Sequence, residues 1–378
     1  MRITIVTGFF LPIPPLRGGA MEKMWHRLAQ EFAAAGHQVT QVSRLWPGLP
    51  ARQKVAGVHH FRVKGSDHTR NLKRNLLLDF LWGLRVGWAL PAADVVLCNT
   101  ISLPIWLPYL KRRAGIVAVV LGRAPKGQLR WYAGVKRVYA LSGALASQAV
   151  HEYPPIRDRL MVMWSPIDWA LHAAAAHRTA DTLVIGFVGR IHPEKGIELL
   201  LRAAEIMARR TDLPPWRLEL VGPSDVISGG GGAQFQASLE ARYRPALGDR
   251  LQFAGPEFDP AGLAGRYGAM DIFCYPSIAE QGETFGVAVA EAMAAGCVPV
   301  VSALACFADF VVEGENGVQF DHRAPDAAAL LAAALVGLVS DARRRQVLAA
   351  AAQASVRRFD YPLVAHKLLD DLGRLTTV

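Results

Sequence analysis

Cysteine is scarce in this chain: four of 378 residues (Cys98, Cys274, Cys297, Cys306). None stands at the spacing of a zinc site or a redox pair. Each lies in or beside an apolar run, which predicts buried, reduced thiols in a cytosolic protein. Long apolar runs are also missing. A membrane span needs roughly 18–20 apolar residues, and the nearest stretch, 76–90, is interrupted by Asp79 and Arg85. The opening segment 2–10 reads as a strand, without the basic, apolar and small-residue succession of an export signal. A cytoplasmic chain is therefore expected. The three spaced glycines of a dinucleotide fingerprint are absent after the first strand, which disfavours a nicotinamide enzyme. No His/Asp/Glu metal constellation and no Asp-any-Asp pair is found, so metal-free chemistry is expected. Four glycines in succession, Gly229 to Gly232, are followed by no Lys-Ser or Lys-Thr. They read as a mobile loop rather than a phosphate cradle.

Acidic residues are sparse in the first half alone. Residues 1–180 hold 24 Lys/Arg and 8 Asp/Glu, whereas 181–378 hold 18 and 24. Such asymmetry suggests different partners for the two halves. A basic first half suits an anionic acceptor or an anionic membrane surface, although an ordinary solvated basic face would look the same. Length suggests two or three domains, with enough core to fold without staples.

What is present is an α/β pattern. Residues 2–7 and 39–43 read as strands around a helix over 21–35. The intervening loop carries Gly18-Gly19, either a phosphate-approaching turn or a plain one. Strands are expected at 58–63, 94–98, 116–121, 138–142 and 160–163, with a helix over 143–151. Segment 68–74 is basic and runs into the Leu- and Trp-rich 76–90. This is a membrane-surface element or a buried helix with a solvated start. Lys111-Arg112-Arg113 ends a helix, where cations are favoured. Loops at the carboxyl ends of parallel strands hold ligands, so Arg123 and Lys126, after the strand at 116–121, are candidates for an anionic acceptor group. The Ala/His-rich stretch from Trp164 to about residue 180 is the best linker.

The second half restarts the pattern with a strand over 182–188, then Gly189-Arg190-Ile191-His192-Pro193-Glu194-Lys195-Gly196 and a helix over 197–210. Two cations five residues apart in a Gly-flanked loop suit two-point neutralisation of a diphosphate. Strands follow at 216–221, 251–254 and 271–275, and helices at 326–340, 342–359 and 360–375.

The densest stretch is 275–301. After a strand and turn chemistry from Pro276 to Gly282, residues 284–295 favour a helix stopped by Gly296. Glu283 precedes the first turn, and Glu291 lies eight residues on, roughly 12 Å along a helix axis. Between them the amides of Phe285, Gly286 and Val287 would form an anion site. A carboxylate, an anion cradle and a second carboxylate match the order of sugar, diphosphate and ribose in a nucleotide sugar. A plain core helix with an acid favoured by its dipole would show the same residues.

The string Pro276-Ser277…Glu283-Thr284-Phe285-Gly286…Glu291-Ala292-Met293-Ala294-Ala295-Gly296 resembles the signature of the retaining glycosyltransferases of family 4 (glycosyltransferase group 1). So does the Gly189-Arg190…Lys195-Gly196 element. The resemblance covers most of 181–375 and, less closely, 1–45. It implies the GT-B fold: two Rossmann-like α/β domains facing a cleft, over 1–168 and 181–358, with a terminal helix over 359–378 crossing back to the first. It implies that Glu283 contacts the donor sugar and Glu291 the ribose. Arg190 and Lys195 would bind the diphosphate and stabilise its charge as it leaves, with Thr284, Phe285, Gly286 and Val287 around it. Gly18 and Gly19 would lie near the donor phosphates. Glu280 rivals Glu283, because the loop before Glu283 is longer than in the family. The family's acceptor-side His has no counterpart between Val117 and Gln128. The expected donor is a UDP-, GDP- or dTDP-sugar with no required cofactor. The acceptor would be a saccharide or lipid-linked saccharide in bacterial surface polysaccharide assembly. A peripheral contact of the first domain with an anionic membrane is one reading of its basic residues, and no nucleic acid is expected. A related nucleotide-sugar enzyme (epimerase or phosphorylase) and a basic nucleic-acid binder remain as alternatives.

Overall fold

In the computed structural model of the chain, all residues are described except 18, 68, 70, 111–113, 176–180 and 378. Gly18, the His68 and Arg70 of the basic segment, the Lys111-Arg112-Arg113 triplet and the end of the linker stretch thus lie outside the described residues. The chain divides into two compact units, Met1–Pro166 with Tyr361–Val378, and Ile167–Asp360.

The first unit carries strands β1 (Arg2–Val6), β2 (Gln38–Arg44), β3 (Arg52–Val55), β4 (Val58–Val63), β5 (Ala93–Cys98), β6 (Ala114–Leu121), β7 (Arg137–Ala140) and β8 (Leu160–Val162). They form one sheet in the order β3-β4-β2-β1-β5-β6-β7-β8. Every pairing is parallel except the β3–β4 hairpin. The central strands β5 and β6 are near-continuous apolar runs because helices cover both faces of such a sheet. Helices α1 (Ala20–Ala34), α2 (Leu72–Ala89), the short α3 (Leu103–Trp106) and α4 (Gly143–Glu152) connect them. Strand β3, which the sequence reading lacks, is exposed at every position. An edge strand with no buried face leaves no apolar alternation to read.

The terminal helix Tyr361–Thr376 belongs to this unit. Its Val364, Ala365, Leu368 and Leu372 join the first unit's core. Asp371 fixes its angle: the carboxylate accepts two bonds from Arg137 (2.8 Å each) and one from the Tyr139 hydroxyl (2.7 Å). A bidentate, charge-assisted pair specifies direction as well as energy.

The second unit holds β9 (Leu183–Val188), β10 (Trp216–Val221), β11 (Leu251–Gly255), β12 (Ile272–Tyr275), β13 (Val298–Ser302) and β14 (Val318–Phe320). The order is β11-β10-β9-β12-β13-β14, all parallel. Around them lie α5 (Trp169–Ala173), α6 (Ile197–Ala208), α7 (Ala233–Leu247), α8 (Pro260–Gly268), α9 (Val287–Ala294), α10 (Ala327–Ser340) and α11 (Ala342–Val356). The chain winds outward from β9 in one direction, then returns to place β12 on its other side. The strand order therefore reverses between β9 and β12. The loops leaving the carboxyl ends of two such strands are where open α/β sheets bind ligands.

Candidate functional site

Both loops at that reversal carry residues singled out from the sequence. After β9, Pro193–Lys195 makes a single tight turn, and Gly196 follows with φ 68°. A side chain at Gly196 would sit 1.9 Å from the Pro276 carbonyl oxygen, so the close approach of the two loops needs glycine there. They are stitched together by Ile278 N donating to Glu194 O (3.0 Å), and the Ser277 hydroxyl, which carries a single proton, lies between that oxygen (3.2 Å) and Glu283 Oε1.

This stitching brings Lys195 against Glu283. Lys195 Nζ forms an ion pair with Glu283 Oε1, and the two side chains are only 9% and 8% exposed. Tyr275 Oη (3.0 Å) and Ser277 Oγ (3.1 Å) donate to that same Oε1. Three donors thus converge on one carboxylate oxygen, while Oε2 has no protein partner among the described residues. Tyr275 is itself fixed, stacked 5.5 Å from Phe187 and met edge-on by Phe307. Glu280, the rival carboxylate, is tied elsewhere. It is half-exposed and held by Arg323 (2.7 Å) and His322 (2.9 Å). The Arg323 guanidinium keeps its carboxyl below the usual range.

Arg190 stands beside this cluster but is turned to other partners, donating to Glu194 Oε1 (2.6 Å) and Gly229 O (2.7 Å). The glycine-rich loop expected to be mobile is in fact tied down. Gly230 N donates to Asp225 O, Gly231 N to Ile191 O and Gly232 N to Ser224 O. Its glycines admit these close backbone approaches, since a side chain at Gly230 would fall 2.3 Å from Ser224.

Helix α9 begins at Val287, three residues later than the sequence suggests. Gly286 adopts φ 85°, and a side chain there would lie 2.4 Å from the Phe307 ring. A left-handed residue cannot continue a helix, so Thr284 and Phe285 stay outside it. Phe285 instead anchors the loop, with its ring 4.9 Å from Phe310 and 5.1 Å from Phe359. Val289 N and Ala290 N both donate to Gly286 O. Among the described residues, the first-turn amides of Val287 and Ala288 are left without a partner; of the expected trio, only Val287 belongs to the helix.

Glu291 lies on α9 with two partners that the sequence did not reveal. Tyr267 Oη donates to Glu291 Oε2 (3.1 Å), and His172 Nε2 lies 3.8 Å from Oε1. The His172 and Tyr267 rings meet edge-to-face at 5.5 Å. His172 comes from the Ala/His-rich stretch read as linker, where its own residue type was the signal. Burial pushes its imidazole from 6.5 down to about 4, with Asp168 opposing. Below about pH 6.5 the unfolded chain takes up a proton that folded His172 refuses until about pH 4. Stability therefore falls as pH drops through that window. His172→Asn should flatten the fall by on the order of 2 kcal/mol, as read by denaturant melts at neutral and mildly acidic pH. His60 in the first unit, also pushed down to about 4, keeps part of the slope.

Gly19, Arg123 and Lys126 belong to the first unit. Gly19 caps α1 with φ 93°. Three residues on, Glu22 is raised above the carboxylate range by burial, and the nearby Arg123 opposes this. Lys126 is exposed, and its amide donates to Gln128 Oε1 (2.6 Å).

Residues 182–341 match the family described as glycosyl transferases group 1. The chain is 32% identical over 263 residues to a D-inositol 3-phosphate glycosyltransferase of Thermomonospora curvata, covering 65% of this chain and 58% of that protein. It is 34% identical over 185 residues to a phosphatidyl-myo-inositol mannosyltransferase of Mycobacterium tuberculosis, covering 48% and 45%. The chain thus spans about half the length of the curated relatives it matches. Among solved structures, sucrose-phosphate synthase of Thermosynechococcus elongatus superposes with a TM-score of 0.74 at 20% identity over 100% of this chain and 99% of its own. Anabaena HepE in complex with UDP and glucose gives 0.72 at 18% identity over 99% of both chains. The chain has the GT-B fold, and its segment 182–341, which supplies the Lys195–Glu283 site, matches the glycosyl transferases group 1 family.

Proposed function

We propose that this protein is a retaining glycosyltransferase. It would move a sugar from a UDP-, GDP- or dTDP-sugar to a saccharide or lipid-linked saccharide acceptor, without a required cofactor or metal. One observation carries the reading: Lys195, Tyr275 and Ser277 all address one oxygen of the buried Glu283, at the point where the strand order reverses. A carboxylate saturated on one side and open on the other can accept bonds from sugar hydroxyls, and fixed cations beside it suit a leaving diphosphate. In the proposed step the bond from the anomeric carbon to the phosphate oxygen breaks. The acceptor oxygen bonds to that carbon on the same face, and its proton passes to the leaving phosphate. Arg190, Lys195 and the open amides at the start of α9 stabilise the charge that develops on the diphosphate, and Glu291 accepts from the ribose.

The activities by which these relatives are known support an acceptor carrying a polyol or lipid, and HepE's bound UDP and glucose support a nucleotide-sugar donor. Assembly of bacterial surface polysaccharide in the cytoplasm, with peripheral contact at an anionic membrane, fits this chemistry. The test is incubation with each donor series and a lipid-linked saccharide acceptor, reading nucleoside diphosphate release and the product's anomeric configuration by NMR. A glycoside with the donor's own configuration is expected. An inverted product overturns retention. A rearranged nucleotide sugar or a sugar phosphate instead points to an epimerase or a phosphorylase.

A further inference from the structure

The stretch that delivers Glu283 has little to hold it by packing. Ser277 is buried before it and Phe285 after it. From Ile278 to Gly282 no residue is buried, and Ile278 itself is 47% exposed. Backbone bonds close the stretch into one tight turn. Gly282 N (3.2 Å) and Glu283 N (3.3 Å) both donate to Ala279 O, and Glu280 N donates to Ile278 O (3.1 Å). Glu280 and Glu283 thus ride on the same hydrogen-bonded turn, and whatever fixes the first also aims the second. An exposed turn without apolar burial otherwise opens locally at low cost.

Glu280 is the fixing point. Its carboxylate meets Arg323 as a fork, with Nε 2.7 Å from Oε1 and Nη2 donating to Oε2 (2.9 Å). His322 Nε2 lies 2.9 Å from the same Oε1, and its side chain is 3% exposed. A fork-to-fork pair sets direction as well as distance. The other side of this clasp is equally tied. Arg323 Nη1 donates to Ala303 O (3.2 Å), and Arg323 N donates to Asp321 Oδ1 (3.0 Å). Ala303 follows β13 and Arg323 follows β14, strands that stay paired up to Ser302 and Phe320. One guanidinium therefore joins the loops leaving the carboxyl ends of β12, β13 and β14, while the Ile278–Glu194 bond joins the first of them to the loop after β9. A half-exposed ion pair adds little to global stability, so what this one offers is geometry.

We propose that Glu280, clasped by His322 and Arg323, is a positioning residue for Glu283, holding the turn so that the open Oε2 faces the donor sugar. This rests on the reading of Glu283 as the sugar contact, and the test separates the two. Glu280→Ala, Glu280→Arg/Arg323→Glu and Glu283→Gln are compared with wild type. In the free protein, Glu280→Ala should exchange the amides of residues 279–284 with deuterium about tenfold faster. Its melting temperature should fall by no more than about 5 °C. The reversed pair should restore slow exchange. UDP-glucose, GDP-mannose and dTDP-glucose are then each set against their nucleoside diphosphate, and the wild-type melting shift should be larger for one of the nucleotide sugars. Glu280→Ala should keep the diphosphate's shift and lose about half or more of the extra shift from the sugar, a split that a merely structural role would not produce. The reversed pair should regain it. Exchange in Glu280→Ala as slow as in wild type overturns the proposal. So does an extra shift that Glu280→Ala keeps and Glu283→Gln loses. An extra shift missing from wild type, or kept by Glu283→Gln, overturns the sugar contact itself, and the proposal falls with it.

Discussion

Replacing Lys195 by Ala is expected to abolish turnover and also to destabilise the second unit. The loss of activity follows from removing a fixed cation where leaving-group charge develops; one such donor typically contributes 100- to 1,000-fold, about 2.7–4 kcal/mol. The loss of stability follows from burial. Glu283 is 8% exposed, and without the ammonium it keeps only two neutral hydroxyl donors on Oε1. Removing one partner of a buried ion pair leaves an uncompensated charge and costs about 3–5 kcal/mol. At roughly 2–4 °C per kcal/mol for a unit of this size, the melting temperature should fall by roughly 6–20 °C. Sequence reasoning alone would pair the lost activity with an intact, undisturbed fold. The structure instead calls for a cycle. The double variant Lys195→Met/Glu283→Gln removes both charges at similar volume and should regain much of the stability while remaining inactive. An active Lys195→Ala protein would sink the catalytic assignment. An inactive but thermally unaltered one would sink the buried pair.

The second large effect concerns Glu291. Wild-type protein should be stabilised by one nucleotide-sugar series, by about 2.7 kcal/mol at a hundredfold excess over Kd. That corresponds to roughly 5–10 °C in the melting temperature of the second unit. A charged hydrogen-bond acceptor is worth about 1.5–3 kcal/mol, so Glu291→Ala should weaken binding about tenfold to hundredfold and remove about half or more of the shift. The comparison needs its own baseline, because Ala also strands the hydroxyl of Tyr267, which donates to Glu291. Glu291→Gln keeps an acceptor for that hydroxyl while removing the charge, and should lie between. The series that stabilises wild type identifies the base. A shift of equal size in all three proteins would take Glu291 out of the ribose contact.

Much of the scaffold was legible. Apolar runs gave the parallel strands, and glycines after strands marked the β9 loop with Arg190 and Lys195. Spacing and neighbouring residues marked Glu283 and Glu291. Other features escaped for identifiable reasons. β3 has no buried face, so no pattern could reveal it. The start of α9 was misplaced because Thr284 and Phe285 are not helix breakers; the break comes from Gly286 yielding to Phe307, a residue twenty-one positions on. The glycine-rich loop looked slack because its tethers are backbone groups, invisible in residue identities.

Residue types and their short-range spacing therefore determined the layer architecture, the two loops and the chemistry on offer. Tertiary structure decided which groups meet. Glu280 and Glu283 are three residues apart with the same charge, and only the packing of the β12 loop on the β9 loop sends one to Arg323 and the other to Lys195. Tyr267 and His172 reach Glu291 from segments 24 and over a hundred positions away. Periodicity reports local geometry within a few turns. Burial, charge pairing and the sharing of donors depend on contacts between distant segments, and those exist only once the sheet has ordered its strands.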